Sequence, residues 1–128
     1  MYNKVSNGIQ VKVEPQYEGR YLRKDVVFFI FTYKVKIVNQ SNKTVQLLER
    51  FWQISDSLDK DSEVRGEGVI GKQPILLPGE AHEYSSASHL KSSFGAMRGS
   101  YKFVGILDGE EFWVDIPRFQ MRIPFELN

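Results

Sequence analysis

Residues 66–71, which read GEGVIG, are a glycine-rich run whose composition and spacing could bind a phosphate group. Glycine-rich loops that open a helix hold phosphates, because their backbone N–H groups and the helix N-terminus face the anion. This pattern raises the hypothesis of a nucleotide- or pyrophosphate-binding protein. The candidate binding loop of that hypothesis consists of Arg65, Gly66, Gly68, Gly71 and Lys72.

The residues after the glycines argue against a dinucleotide-binding unit. Pro74 and Pro78 follow Gly71 closely, and each would remove a backbone donor from a helix and clash with its preceding turn. Lys72 is followed by Gln73, where a phosphate loop has Ser or Thr. We therefore expect the glycines to serve strand and turn geometry, and we keep anion binding as the rival hypothesis.

Neither a metal site nor a catalytic site is predicted elsewhere. The acidic series Asp56, Asp59, Asp61 and Glu63 resembles the start of a calcium loop, but the sixth loop position is Val64, where glycine is needed. The two histidines, at positions 82 and 89, border a serine-rich stretch that lacks the Gly-x-Ser-x-Gly turn of a hydrolase. The sequence thus predicts a protein that is not an enzyme and holds no metal or cofactor.

Composition narrows the class of partner. The 128 residues include 17 basic and 16 acidic side chains, and the net charge of +1 gives no electrostatic footprint for nucleic acid or an anionic membrane. No apolar run is long enough to span a bilayer or act as a secretion signal. Cysteine is absent, which excludes disulfides and thiolate metal sites. We expect one domain over residues 1–128, located in the cytoplasm.

The elements that position these residues are predicted to be strands. Apolar residues alternate with polar ones in segment after segment, as in Ile9 to Val13 and Phe31 to Ile37. Residues 26–30 are apolar on both faces, which predicts a central strand buried on two sides. Glu49 and Arg50 stand side by side and break the alternation, which predicts a bulge or a strand that changes sheets.

Turn signals complete this interpretation. Asp108 and Gly109 predict a tight hairpin, Pro117 predicts an edge or a bend, and residues 88–94 leave room for one short turn of helix. About seven to eight short strands with such turns are typical of an all-β, antiparallel sandwich of the immunoglobulin or fibronectin-III type. Aromatic side chains enrich both cores and interfaces. The candidate interface aromatics are Trp52, Phe94, Trp113 and Phe119.

Several long segments resemble the ApaG family, over a match from about Ile9 to Phe125. They are RFWQI at 50–54, EVRGEGVIGKQP at 63–74, PGE at 78–80, YSS at 84–86, GAMRGSY at 95–101 and FWVDIPRF at 112–119. The resemblance implies a fibronectin-III-like β-sandwich with no established catalytic activity. It also implies an association with cobalt tolerance and magnesium efflux in bacteria, and a protein-recognition role in eukaryotic proteins that include an F-box protein.

Two functions follow as hypotheses. The first is a non-enzymatic protein-interaction domain that binds a protein partner near the glycine loop and neighbouring aromatics, because sandwich domains use end loops and sheet edges for recognition. The alternative is a binding protein for nucleotide, pyrophosphate or another small anion, or for a divalent cation, linked to the cobalt and magnesium phenotypes.

Overall fold

A computed structural model describes residues 1–124 of the chain. Nine strands make up the described part, and they run antiparallel to their neighbours. In chain order they are β1 Tyr2–Ser6, β2 Ile9–Arg23, β3 Val26–Asn39, β4 Val45–Asp56, β5 Ser62–Glu67, β6 Ile75–Leu76, β7 Ala81–Leu90, β8 Phe94–Gly105 and β9 Glu111–Arg122.

The strands form two sheets that pack face to face. One sheet has the order β1-β2-β3-β7, and the other has the order β5-β4-β8-β9 with the short β6 also paired to β4. This arrangement confirms the predicted all-β antiparallel sandwich, with nine strands rather than seven to eight. Strand β9 packs against β1 and β2, which closes one side of the sandwich. Strands β7 and β5 are the sheet edges on the other side, which stays open.

The core lies between the sheets and follows the period-two pattern of the sequence. Alternate residues at the start of β2 and in the second half of β3 point inward and are almost fully buried, as are their counterparts on β8 and β9. The largest fully buried side chains include Ile9, Phe31, Ile37, Leu47, Tyr101, Phe103, Phe119 and Met121. The alternation over Ile9 to Val13 and Phe31 to Ile37 thus identified the inward residues of β2 and β3 correctly.

A bulge in β4 determines which side chains of that strand face the space between the sheets. The register between β4 and β8 shifts between Leu47 and Glu49, which confirms the bulge predicted from the adjacent Glu49 and Arg50. Past the bulge, Arg50 faces inward in step with Trp52 and Ile54. A charged side chain therefore enters the space between the sheets.

The prediction of a doubly buried strand over residues 26–30 is wrong. Val26 and Val27 are 38% and 40% exposed, and the next three residues are half-buried. The reason is the length of β7, whose pairing with β3 starts only at Phe29. Residues 26–28 pair with β2 alone and form a two-stranded arm that extends beyond the sandwich.

Two turn predictions are refined. The hairpin that joins β8 to β9 is confirmed, but it uses a loop of residues 106–110 in which Gly109 alone has a positive φ, of 68°. Residues 88–94, expected to hold a short helical turn, instead end β7, turn at 91–93 and begin β8. Pro117 lies on edge strand β9 where the β8 to β9 register shifts, as the sequence predicted.

Candidate binding cleft and glycine hairpin

The glycine run is a small hairpin at the open edge of the second sheet. The Val69 N–H donates to the Lys72 carbonyl at 2.8 Å, and the Lys72 N–H donates back to the Val69 carbonyl at 3.0 Å. The two residues between them, Ile70 and Gly71, have φ angles of 48° and 73°. Two central residues with positive φ define a type I′ turn, which is a common connection for tight hairpins. Residues 68–73 are called the glycine hairpin below.

Gly68 is required where the glycine hairpin meets β4. Its φ is +61°, and a Cβ atom there would lie 2.0 Å from the Lys72 carbonyl oxygen. Its N–H donates to the Leu48 carbonyl at 2.8 Å. The predicted role of the glycines in strand and turn geometry is thereby confirmed. The N–H groups of Gly68, Val69 and Lys72 are all bound to protein carbonyls, so they are not open to a phosphate.

The two cationic side chains that flank the glycines lie beside different neighbours. The Arg65 guanidinium lies over the Phe51 ring, 5.0 Å from its centroid, and Arg65 pairs with Phe51 across β4 and β5. Lys72 lies near His82, on the first half of β7, where its charge helps to lower the pKa of that imidazole. The structure therefore does not bring Arg65 and Lys72 together around the glycines.

A cleft of about 220 Å³ opens between the edges of the two sheets, beside the glycine hairpin. We call it the edge cleft. Its polar lining consists of Tyr33, Arg50, Tyr84, Ser86 and Ser88. Its apolar lining includes Trp52, Ile54, Val64, Ile70 and Met97. Few convergent polar groups in a mainly apolar concavity are the usual composition of a binding site.

Arg50 is the charged residue of the edge cleft. Its Nη1 donates to the carbonyl oxygens of Glu67 at 3.1 Å and Gly68 at 3.0 Å, which ties the glycine hairpin to β4. The guanidinium lies against Gly66, where an added Cβ would be 3.0 Å from the Arg50 Cζ. Within residues 1–124, no carboxylate comes within 4.0 Å of this guanidinium. Arg50 thus places a positive charge without an ion-pair partner in the described chain.

Three phenols surround this charge. The Tyr84 and Tyr101 hydroxyls form a hydrogen bond, and Tyr33 lies opposite Ser86 in the register of β3 and β7. Burial raises the pKa of Tyr33, Tyr84 and Tyr101, and the Arg50 charge opposes that rise only in part. The phenols therefore remain neutral near pH 7 and do not neutralise Arg50.

The edge cleft was not predicted from the sequence, although one signal was present. The order Arg50-x-Trp52-x-Ile54 places an arginine in step with two apolar residues once the bulge at Glu49 is recognised. The partners of Arg50 across the cleft lie on β7, more than 30 residues away in sequence, and no spacing rule connects them.

The ApaG domain family (DUF525) matches residues 21–105. Protein ApaG of Brucella abortus strain S19 is 44% identical over 124 residues, which is 97% of this chain and 95% of the relative. The chain belongs to the ApaG family. The matched range contains both Arg50 and the glycine hairpin.

Two further proteins are similar to the chain over nearly its whole length. Protein ApaG of Methylocella silvestris is 44% identical over 125 residues, covering 98% of this chain and 95% of the relative. A crystal structure from Bordetella pertussis, named for an ApaA protein, has a TM-score of 0.84 at 35% identity and covers 98% of this chain and 99% of its own. Among residues 1–124 of the ApaG-family chain, no helix has the length and hydropathy that a membrane crossing requires.

The ApaG-family fold separates the four candidate interface aromatics. Trp52 is 3% exposed and Phe119 is fully buried, so both belong to the core, which corrects that prediction, and only a small part of Trp52 reaches the lining of the edge cleft. They pack edge to face with ring centroids 6.0 Å apart. Phe94 is half-buried under the Arg122 guanidinium, and Trp113 is 46% exposed on β9. Of the four, Trp113 and part of Phe94 have substantial accessible surface.

The remaining candidates have structural roles. Asp56 accepts hydrogen bonds from the Lys91 N–H and the Ser92 hydroxyl, both at 2.6 Å, which fixes the turn between β7 and β8. Asp59 forms an ion pair with Lys91 at 3.3 Å. His89 Nδ1 is hydrogen-bonded to the Tyr21 hydroxyl at 3.0 Å on the projecting arm. These side chains stabilise turns and the arm of the ApaG-family fold.

His82 gives a prediction for the dependence of stability on pH. Burial, and then the positive charge of Lys72, lowers the pKa of His82 below its ordinary value of 6.5. Just below that pH the unfolded chain binds more protons than the folded chain, so the free energy of unfolding should decrease as the pH falls through this range. His82→Gln should make that decrease smaller. Urea unfolding at pH values on either side of 6.5 measures it.

The matched control for His82 is His89→Gln, which removes the other histidine of the sequence and leaves the His82 site intact. This control should retain the wild-type dependence on pH. An equal dependence in wild type and His82→Gln would contradict the assignment.

Proposed function

We propose that this ApaG-family chain is a non-enzymatic protein-recognition module of the cytoplasm. Its partner surface consists of the tip of the glycine hairpin and the edge cleft beside it. The observation that supports the proposal is the conformation of Ile70, which is both strained and exposed.

Ile70 occupies a backbone conformation that its side chain disfavours. Its φ is +48°, and a β-branched residue at positive φ is a genuine outlier. The left-handed conformation costs an ordinary residue roughly 1–2 kcal/mol, and a type I′ turn favours Asn, Asp or Gly at this position. The side chain is 60% exposed, so packing within the fold offsets little of that cost. Strain of this kind accumulates at binding sites, where the side chain is held for a partner.

The surroundings of Ile70 fit a protein interface. Val64 is 41% exposed and lines the same cleft, with the half-buried Ile54 next to it. An exposed apolar rim around an arginine is the composition of interface centres, where Arg and large apolar residues are enriched. The edge strand β5 adds a row of backbone groups with one neighbour only. Together these features support recognition of another protein at this side of the sandwich.

The anion alternative receives less support. Three backbone donors of the glycine hairpin are already paired, and Arg65 and Lys72 do not converge, so a pyrophosphate would lack those three donors and a cation pair there. Within residues 1–124, no group of three or more histidine and carboxylate side chains is placed to hold a metal ion. Protein recognition is therefore the function that this site supports best.

Replacement of Ile70 by asparagine tests the proposal. Asparagine tolerates the left-handed turn and removes the apolar side chain, so the fold is kept while the anchor is lost. Proteins captured by the immobilised wild-type chain should bind Ile70→Asn at least about tenfold more weakly, as for loss of an interface anchor. Quantitative comparison of the captured proteins measures the difference.

The matched control is Leu107→Asn. Leu107 is 96% exposed in the loop after β8, so this change removes an equally apolar surface side chain far from the glycine hairpin in sequence. It should leave the captured set unchanged. Equal recovery of every captured protein by wild type and Ile70→Asn would contradict the proposed surface.

A further inference from the structure

We propose that the edge cleft is a carboxylate receptor, in which Arg50 binds an acidic side chain of the partner. The inference rests on the proposed recognition function and specifies the chemistry of the partner. It assigns to Arg50 a role that is separate from its contacts with the glycine hairpin.

The donor geometry of Arg50 leaves one edge available. Nη1 is used by the carbonyl oxygens of Glu67 and Gly68. Nη2 and Nε make no hydrogen bond within residues 1–124, and the described chain has no buried side-chain nitrogen or oxygen that lacks a partner. These donors therefore remain accessible on a residue that lines the edge cleft. The Nη2 and Nε edge of a guanidinium is planar and matches the two oxygens of a carboxylate.

The cleft walls agree with a carboxylate. Ser86 and Ser88 line the cleft from β7, and Tyr33 lines it from β3. Tyr33 and Ser86 share a hydrogen bond, which uses one of their two hydroxyl protons, so the other proton and that of Ser88 can be donated to an anion. No acidic side chain lines the cleft within residues 1–124, so nothing there would repel the ligand.

The charge count selects a carboxylate over a phosphate. Arg50 is the one charged residue among those that line the cleft in the described chain. A single cation balances a carboxylate, whereas a phosphate or pyrophosphate carries more negative charge and is bound by several cations or a row of backbone donors. Val64 and Ile70 at the rim are apolar and exposed, so they favour apolar residues on either side of the acidic residue. The best-matched ligand is an acidic side chain flanked by apolar ones.

Titration of the intact wild-type protein with simple probes tests the inference. We would add sodium acetate, sodium phosphate or sodium chloride at constant ionic strength and follow the Arg50 Nε–H signal and the amides of Ser86 and Ile70 by NMR. Acetate should shift these signals in a saturable way, and chloride should not. An Arg50 signal that acetate leaves unmoved would overturn the proposal, as would stronger binding of phosphate than of acetate.

A pair of charge variants supplies the control. Ser86→Glu places a carboxylate inside the cleft, where it should occupy Arg50 and weaken acetate binding at least about tenfold. Ser85→Glu adds the same charge to the adjacent residue, which faces the other side of the sheet, and should bind acetate within about twofold of wild type. Equal loss of binding in both variants would overturn the assignment to the cleft, because it would reflect net charge alone.

A blocked tripeptide, acetyl-Leu-Glu-Leu-amide, distinguishes the two sources of a carboxylate. Binding at least about tenfold tighter than acetate, lost in Ser86→Glu, would support a partner side chain, because the flanking leucines contact the rim. Binding no tighter than acetate would overturn the partner assignment and leave a receptor for free carboxylates. Unchanged capture of proteins by Ile70→Asn, by contrast, would contradict the proposed recognition surface and would leave the acetate result unaffected. The two proposals can therefore fail separately.

Discussion

Replacing Trp52 with alanine should lower the free energy of unfolding by about 3–5 kcal/mol, the usual cost of removing a large aromatic from a core. Trp52 is 3% exposed and contacts three aromatic rings, those of Tyr33, Tyr101 and Phe119. Because Trp52 packs between the two sheets, its removal leaves a cavity where they meet. Urea unfolding monitored by circular dichroism gives the free energy from the midpoint and slope.

Trp113→Ala is the matched control for Trp52. Trp113 is 46% exposed on the outer face of β9, and its hydrogen bond from Asn7 uses the backbone carbonyl, which alanine keeps. Its loss should cost about 1 kcal/mol at most. Similar costs for the two variants would show that Trp52 is not part of the core and would contradict the assignment of the aromatics.

Gly68→Ala should destabilise the protein by about 3 kcal/mol or more, through two effects that add. Alanine is disfavoured at a φ of +61°, and its Cβ would approach the Lys72 carbonyl oxygen to 2.0 Å, so the glycine hairpin must move. That movement breaks the hydrogen bond from the Gly68 N–H to the Leu48 carbonyl. Proteolysis of the segment should also accelerate, because the glycine hairpin would open. A bulkier residue at Gly68 is consequently unsuitable as a probe of the surface.

Gly71→Ala separates the two effects. Gly71 has a φ of +73°, but an added Cβ there would have no atom within 4 Å. This variant should lose only the conformational contribution, about 1 kcal/mol. If the free energy of unfolding of Gly68→Ala is no lower than that of Gly71→Ala, the close approach to Lys72 does not contribute to stability.

Much of the fold could be predicted from the sequence because its signals are local. Period-two alternation depends on the geometry of one strand, and it identified the inward residues Ile9, Val11 and Val13 correctly. The bulge at Glu49 was predicted for the same reason. Burial of residues 26–30 was not, because it depends on how far a distant strand extends, and β7 pairs with β3 only from Phe29.

The candidate site was harder to predict, because it forms only when distant segments meet. The glycines drew attention to the correct region, but their N–H groups proved to be paired within the fold, and the flanking cations face different neighbours. The groups that line the edge cleft come from β3, β4, β5, β7 and β8 and from the glycine hairpin. The strain at Ile70 could not be read from the sequence either, because it is a property of the turn that the glycine hairpin forms.

The central claim is that Ile70 is held in a strained turn because a partner requires it. Its most direct test measures stability and partner binding on the same preparation of Ile70→Asn. We predict that relief of the left-handed strain raises the free energy of unfolding of the variant by up to about 1 kcal/mol, so that it unfolds at a higher urea concentration. The same variant should no longer bind the proteins that the wild type captures. A variant that is less stable than the wild type, or that keeps those proteins at wild-type recovery, would contradict the claim.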